Sequence, residues 1–236
     1  MKKIILGLLA VLSIAFVSCL DDDDGYSLND YWVGFGVLKV ESDSYTIILD
    51  DGEVLRPVAW NYAPGNDDDF DDGSRVLVNF TVLDEVGDGE GNISHYLVKV
   101  NDIQSILMKG VLDITEENAD SIGNDPIVVQ EYWMTDSLLN FKLKYWGYNH
   151  THFLNLVQDS TDLVTGDGAL KLELRHNANG DETAVPYTAF VSFSLNSLRV
   201  EGQDSVRIQV SSTDYDEVTH SFNTAFNYSD LELPNQ

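Results

Sequence analysis

The chain has 236 residues, 40 of them acidic against 13 basic, for a formal net charge of −27, and that length allows two domains with a core each. Thirteen cations cannot build the basic surface that displaces counterions from phosphates, which excludes nucleic acid and attraction to anionic lipid surfaces. A 43% hydrophobic and 11% aromatic content argues for a folded chain, and the single cysteine excludes an intramolecular disulfide and a cysteine-based zinc site.

Lys2 and Lys3 precede an apolar or small run from Ile4 to Val17. The run is too short to span a bilayer comfortably and suits the core of a signal peptide. It ends in Phe16-Val17-Ser18-Cys19, which resembles a bacterial lipobox, with Phe16 standing where Leu is usual. The resemblance implies that residues 1–18 are removed and that Cys19, then the first residue, is acylated. Several acyl chains on one residue anchor a protein stably without spanning. Asp21, Asp22, Asp23 and Asp24 follow at once. Like charges extend a tether, and the run also resembles the acidic export signal of Bacteroidota surface lipoproteins. Residues 19–29 therefore read as a lipidated acidic tether, and the protein is expected at the outer membrane, on the cell surface, with the periplasmic face as the alternative.

From Tyr31 the apolar period is two, the signature of strands. Tyr31, Val33, Phe35 and Val37 alternate with Trp32, Gly34 and Gly36, after which the apolar phase passes to Leu38 and Val40. Two glycines at a phase change predict one long, sharply coiled strand that serves two sheets. Tyr45 to Leu49, the turn Asp51-Gly52 and the return Val54 to Val58 predict a hairpin, with Pro57 near an edge or strand end. Val76 to Val82 and Tyr96 to Val100 complete five strands, and Ile103 to Met108 extends the last. Five strands with a coiled first member predict an OB-type five-stranded barrel over residues 30–112.

The stretches YTIILDDGEVLRP (45–57), GSRVLVNFTVL (73–83) and YLVKVNDIQSILMK (96–109) resemble the NigD-like lipoproteins of Bacteroidota. The resemblance implies a lipoprotein signal, an N-terminal OB domain and a C-terminal β-sandwich. It also implies an association with a bacteriocin gene cluster and an accessory or immunity role.

Residues 113–125 are densely polar and read as a linker, with room for a short helical turn. Period two then returns. Leu139, Phe141, Leu143 and Tyr145 alternate with Asn140, Lys142, Lys144 and Trp146; Leu170, Leu172 and Leu174 and then Val206, Ile208 and Val210 do the same. With Ile127–Trp133, Phe153–Val157, Tyr187–Leu195 and Val218–Tyr228 the count is seven, that of an immunoglobulin-like seven-stranded β-sandwich over 126–236. The all-β chain then has two units joined by 113–125, and a 124–236 fragment is expected to fold alone.

Candidate chemistry is sparse. In the loop Asp67-Asp68-Asp69-Phe70-Asp71-Asp72-Gly73 the spacing departs from that of an EF-hand, so it reads as a solvated acidic turn, with Asp67, Asp69 and Asp71 as the candidates for calcium. His150 and His152 share a face if they lie on a strand, yet zinc would need a third ligand that no motif supplies; these two and the isolated His95, His176 and His220 read as surface histidines. No nucleophile elbow or phosphate loop is present, and nothing in the sequence requires a cofactor. Tyr145 shares parity with core leucines, whereas Trp146 and Tyr148 share parity with Lys142 and Lys144. Exposed aromatic side chains are favoured at recognition surfaces, which makes Trp133, Trp146 and Tyr148 the candidate ligand surface. The chain thus reads as a non-catalytic envelope protein, held in lipid through Cys19, that binds an envelope protein or glycan; a glycan-processing enzyme is the alternative.

Overall fold

The computed structural model describes residues 30–41, 44–61 and 70–228. Cys19, Asp21–Asp24, Asp67 and Asp69 lie outside them.

The first unit is a closed five-stranded barrel. Strands β1 (Trp32–Glu41), β2 (Ser44–Leu49), β3 (Val54–Trp60), β4 (Arg75–Gly87) and β5 (Ile93–Ser105) close in the order β1-β2-β3-β5-β4. β1 pairs with β2 along one part and with β4 along the other, and Gly36 and Val37 take part in both pairings, so the strand joins two neighbours of one closed sheet, where the two glycines predict service to two sheets. The reason differs from a change of phase. Gly34 and Gly36 continue the inward phase of Leu38, where a side chain has no room: a Cβ on Gly36 would lie 2.7 Å from Ile47 Cγ2 and from the Ile48 carbonyl oxygen. Phe35 and Val37 point out of the barrel, and Val33 and Val40 are exposed. The barrel core is Leu38, Ile47, Leu49, Leu55, Val76, Val78, Phe80, Val82, Val98, Val100 and Ile103. β3 and β5 run parallel with a bulge after Pro57, and the β2 pairing reaches only Val54 and Leu55, so Pro57 withholds no N–H from β2.

The second unit has eight strands, one more than the sequence suggests. The additional member, β6 (Leu107–Asp113), is separated from β5 by Ile106 alone. Then come a four-residue helix α1 (Ala119–Ile122), β7 (Val128–Thr135), β8 (Leu138–Gly147), β9 (Phe153–Gln158), β10 (Leu170–Asn177), β11 (Val185–Ser194), β12 (Ser205–Thr213) and β13 (Thr219–Asn227). Their order is β13-β12-β10-β9-β6-β11-β8-β7, a continuous sheet folded over into two layers. β6 sits at the fold line. Leu107–Gly110 pair with β11 in one layer and Val111–Asp113 with β9 in the other. Both pairings are parallel, as is β10 with β12, so the sandwich mixes parallel and antiparallel neighbours. Phe222 of β13 closes the layers against Tyr132 and Phe141, with ring centroids 3.8 and 5.9 Å away. Between the layers lie Leu139, Phe141, Leu143, Leu156, Leu172, Leu174, Phe193, Ile208 and Val210.

The position of β6 revises the modular expectation. A fragment beginning at residue 124 lacks the strand that joins the two layers, so the polar stretch after β6 is a connection within the sandwich.

Candidate functional site

Two places concentrate buried polar chemistry. The first is the junction of barrel and sandwich. Arg75 opens β4 in the phase that faces away from the barrel core, and the sandwich buries it to 1% exposure. Its guanidinium donates to both carboxylate oxygens of Asp50, in the β2–β3 turn, at 2.6 Å for the Nη2–Oδ2 bond. It also donates to Ser192 Oγ at 3.2 Å and to Asn140 Oδ1 at 3.1 Å, both on the sandwich. Ser192 donates to the same Asn140 oxygen at 2.6 Å. Trp133 Nε1–H reaches Asp50 Oδ2 at 3.0 Å, and Phe35 packs between Trp133 and Phe190 at 5.3 and 5.0 Å. Burial alone would raise the Asp50 carboxyl, but the hydrogen bonds from Arg75 and Trp133 outweigh it and hold the group below the usual carboxylate range. Beside this lock lies a cleft of about 290 Å³ lined by Val37, Lys39, Asp50, Met108 and Ser137.

The second place is the end of the sandwich where the β8–β9 turn meets the β10–β11 loop. His176, at the end of β10, is 1% exposed, and the side chains of His152 and Asp181 are 4% and 2% exposed. They form a line: Asp181 Oδ2 to His152 Nε2 at 3.1 Å, His152 Nδ1 to His176 Nε2 at 2.8 Å, and His176 Nδ1 to the Pro126 carbonyl oxygen at 2.9 Å. Asp181 also accepts the backbone N–H groups of Tyr148 (2.5 Å), Asn149 (3.2 Å) and Glu182 (2.9 Å). Burial works to raise its carboxyl, but the Tyr148 N–H, His152 and the neighbouring amides hold it well below the usual range. The Tyr145 ring lies 4.7 Å from His152 and 5.3 Å from His176. Gly147 is required here, since a Cβ would stand 2.7 Å from His152 Nε2 and 2.9 Å from Asp181 Oδ2. Above the line opens a pocket of about 260 Å³ rimmed by Tyr148, Tyr187, Asn149 and His150. Tyr148 is 60% exposed and Tyr187 42%.

The structure separates the three aromatic residues singled out from the sequence. Trp133 seals the junction, Trp146 packs edge-on against Tyr215 at 4.6 Å with Lys144 Nζ 4.7 Å from its ring, and Tyr148 stands on the pocket rim. Tyr145 is partly buried against the sandwich core, in the inward phase that its parity indicates. His150 and His220 are exposed, but the surface assignment fails for His152 and His176, which the two loops and the Pro126 segment enclose. Asp71 is exposed and its carbonyl caps the turn to Ser74 at 3.0 Å. Among the described residues no three His, Cys, Asp or Glu side chains are grouped to hold a metal ion, and no helix is long and apolar enough to cross a membrane. The Arg75 lock and the histidine line escape sequence reasoning because each joins segments remote in sequence; the one local signal is a glycine, Gly147, at the end of a strong strand.

Comparison with known proteins follows the two units. The NigD-like N-terminal OB domain matches residues 36–106, and the NigD-like C-terminal β-sandwich domain matches 110–225, which leaves only Leu107–Lys109, the start of β6, between the two. The chain is similar to a Parabacteroides distasonis protein provisionally described as toxin-related: 28% identical, TM-score 0.69, covering 84% of this chain and 94% of that one. A NigD-like immunity protein from Bacteroides caccae is 20% identical with a TM-score of 0.63 over 84% of this chain and 94% of that one. A Bacteroides fragilis protein provisionally described as a lipoprotein is 14% identical with a TM-score of 0.58 over 86% and 100%. At those last two identities the likeness speaks for the fold. No curated protein matches the chain.

Proposed function

The chain belongs to the NigD-like family, and from that membership and the geometry above we propose a lipid-anchored envelope protein that binds without catalysis, in an accessory or immunity role. The observation that carries the binding reading is the state of the acids and bases beneath the Tyr148–Tyr187 pocket. Asp181, His152 and His176 are spent on one another, on backbone amides and on the Pro126 carbonyl. What the pocket offers a ligand is two exposed tyrosine rings with Asn149 and His150 beside them, the surface of a recognition site. Exposed tyrosines also suit the face of a sugar ring, which favours an envelope glycan as the ligand if the partner is not a protein. The anchor is Cys19, and Asp21–Asp24 direct the chain to the outer leaflet.

Two experiments test this reading. Cys19→Ala should move the protein from the membrane fraction to the soluble fraction; retention at the wild-type level overturns the anchor. The purified protein, incubated with envelope glycans with and without Ca²⁺ or Zn²⁺, should release no product, and turnover in any of these mixtures replaces binding by catalysis.

A further inference from the structure

The hydrogen-bond line under the pocket fixes a proton count. The Pro126 carbonyl only accepts, so His176 Nδ1 carries a proton. Only one proton fits between His152 Nδ1 and His176 Nε2 at 2.8 Å. Asp181 is saturated with backbone N–H donors and ionised, so His152 Nε2 carries a proton toward it. Three protons on four ring nitrogens give the imidazole pair one net positive charge, balanced by one buried carboxylate. His176 is the more deeply enclosed ring, and burial disfavours its charged form.

A fourth proton has no place in this line. It would set two N–H groups against each other across the His152–His176 contact and add a second positive charge where one carboxylate is available. The other groups facing the pair do not compensate. Tyr145 from β8 presents a ring face, and Tyr187 from β11 stacks behind it at 5.8 Å. Leu154 of β9, opposite His176 in register, is apolar. Asp125, in the segment before β7, is the one further carboxylate near His176; it is exposed, and its Oδ2 already accepts the Ala178 N–H at 2.7 Å. His150 adds another ionisable ring at the rim, held by its Nδ1 to the Asn179 carbonyl at 2.8 Å.

We propose that Asp181, His152 and His176 form an acid-released clasp: at neutral pH three shared protons hold the 148–152 turn, the 178–184 loop and the Pro126 segment together, and a fourth breaks the His152–His176 contact and frees the walls of the Tyr148–Tyr187 pocket. The pocket is therefore built near neutrality and dismantled on acidification. The His152–His176 contact is where this line joins the 148–152 turn to β10 and the Pro126 segment.

Histidine-selective ¹⁵N NMR of the purified wild-type protein counts the protons directly. At pH 7.5 the expected pattern is three protons on the four ring nitrogens, one of them on His176 Nδ1. Two neutral imidazoles at that pH overturn the proposal. In parallel, hydrogen exchange of the Tyr148 and Asn149 amides, corrected for intrinsic chemistry, should speed up by at least about tenfold between pH 7 and pH 5. Amides of β10 and β12 should keep their protection over the same interval. Unchanged protection of Tyr148 and Asn149 also overturns it, and so does a uniform loss across the sandwich, because global unfolding is not release of a clasp. His220→Gln, at an exposed site, should leave the step in place; loss of the step in that variant assigns it to a surface histidine and overturns the clasp.

Discussion

The junction and the loop end of the sandwich solve the same problem with different cations. Each sets an aspartate against a basic side chain and gives it further donors. At the junction the cation is a guanidinium, which does not titrate in the working range of proteins and whose planar fork meets a carboxylate two-on-two. At the loop end it is an imidazole pair, and imidazole is the side chain whose charge a modest change of pH can alter. A permanent joint is made with arginine and a conditional one with histidine, and the positions agree: the arginine ties two folded units, whereas the histidines tie loops.

The largest expected effect tests how far the junction is a joint between independent bodies. A 124–236 fragment should fail to fold by circular dichroism, whereas one beginning at residue 106, with β6 restored, should give a cooperative transition. A folded 124–236 fragment would make β6 dispensable and the two units separable. Next comes Arg75→Met, which leaves Asp50 without its ion pair beside the buried amide of Asn140. It should cost about 3–5 kcal/mol, read from urea midpoints at constant m, and Arg75→Lys should recover only part of that. Gly147→Ala forces a methyl into the His152–Asp181 contact. It should cost about 2 kcal/mol and raise exchange of the Tyr148 amide while leaving the junction intact. Trp133→Phe removes one hydrogen bond to the Asp50 carboxylate and keeps the stacking on Phe35, for about 1.5 kcal/mol.

The smallest effect separates the two sites by pH. Burial lowers the folded-state pKa of His176, so its contribution is complete above the ordinary histidine value of about 6.5 and is lost as pH falls through it toward the folded value. Asp50 is also held low, but its contribution persists down to the ordinary carboxylate value of about 3.9 and is lost only below that. Between pH 6.5 and 4.5, intervals set by those ordinary values of about 6.5 and 3.9, wild-type stability should decline and the decline should vanish in His176→Gln. The Arg75→Met penalty should stay constant across the same interval. A penalty that shrinks there would mean that the junction, too, is conditional.

What the sequence made legible follows from which forces are local. The alternation of Leu170, Leu172 and Leu174 is a statement about one strand and its two faces, and β10 lies where it points. The tight packing at Gly36 is likewise announced by the absence of a side chain in a strand that must bend. β6 was hidden because its residues change partners at Gly110, so no single face is buried throughout and no clean period survives. Arg75 alternates with core valines, and the other unit, not its own strand, covers it. His152 and His176 looked like scattered surface residues because their partnership depends on where two loops end.

The place of β6 also sets an order in time. It emerges directly after the barrel's last strand, yet its partners Leu156 and Val191 follow far later in the chain. The barrel closes on pairings complete by Ser105, and its hairpins are mostly local, whereas the sandwich must hold β6 unpaired until β9 and β11 have been made. Leu107, Met108 and Leu112 are exposed even in the finished fold, so a nascent chain displays an apolar strand edge through most of the synthesis of its second half. The interval between barrel closure and arrival of β11 is when this protein is most open to pairing with another copy of itself.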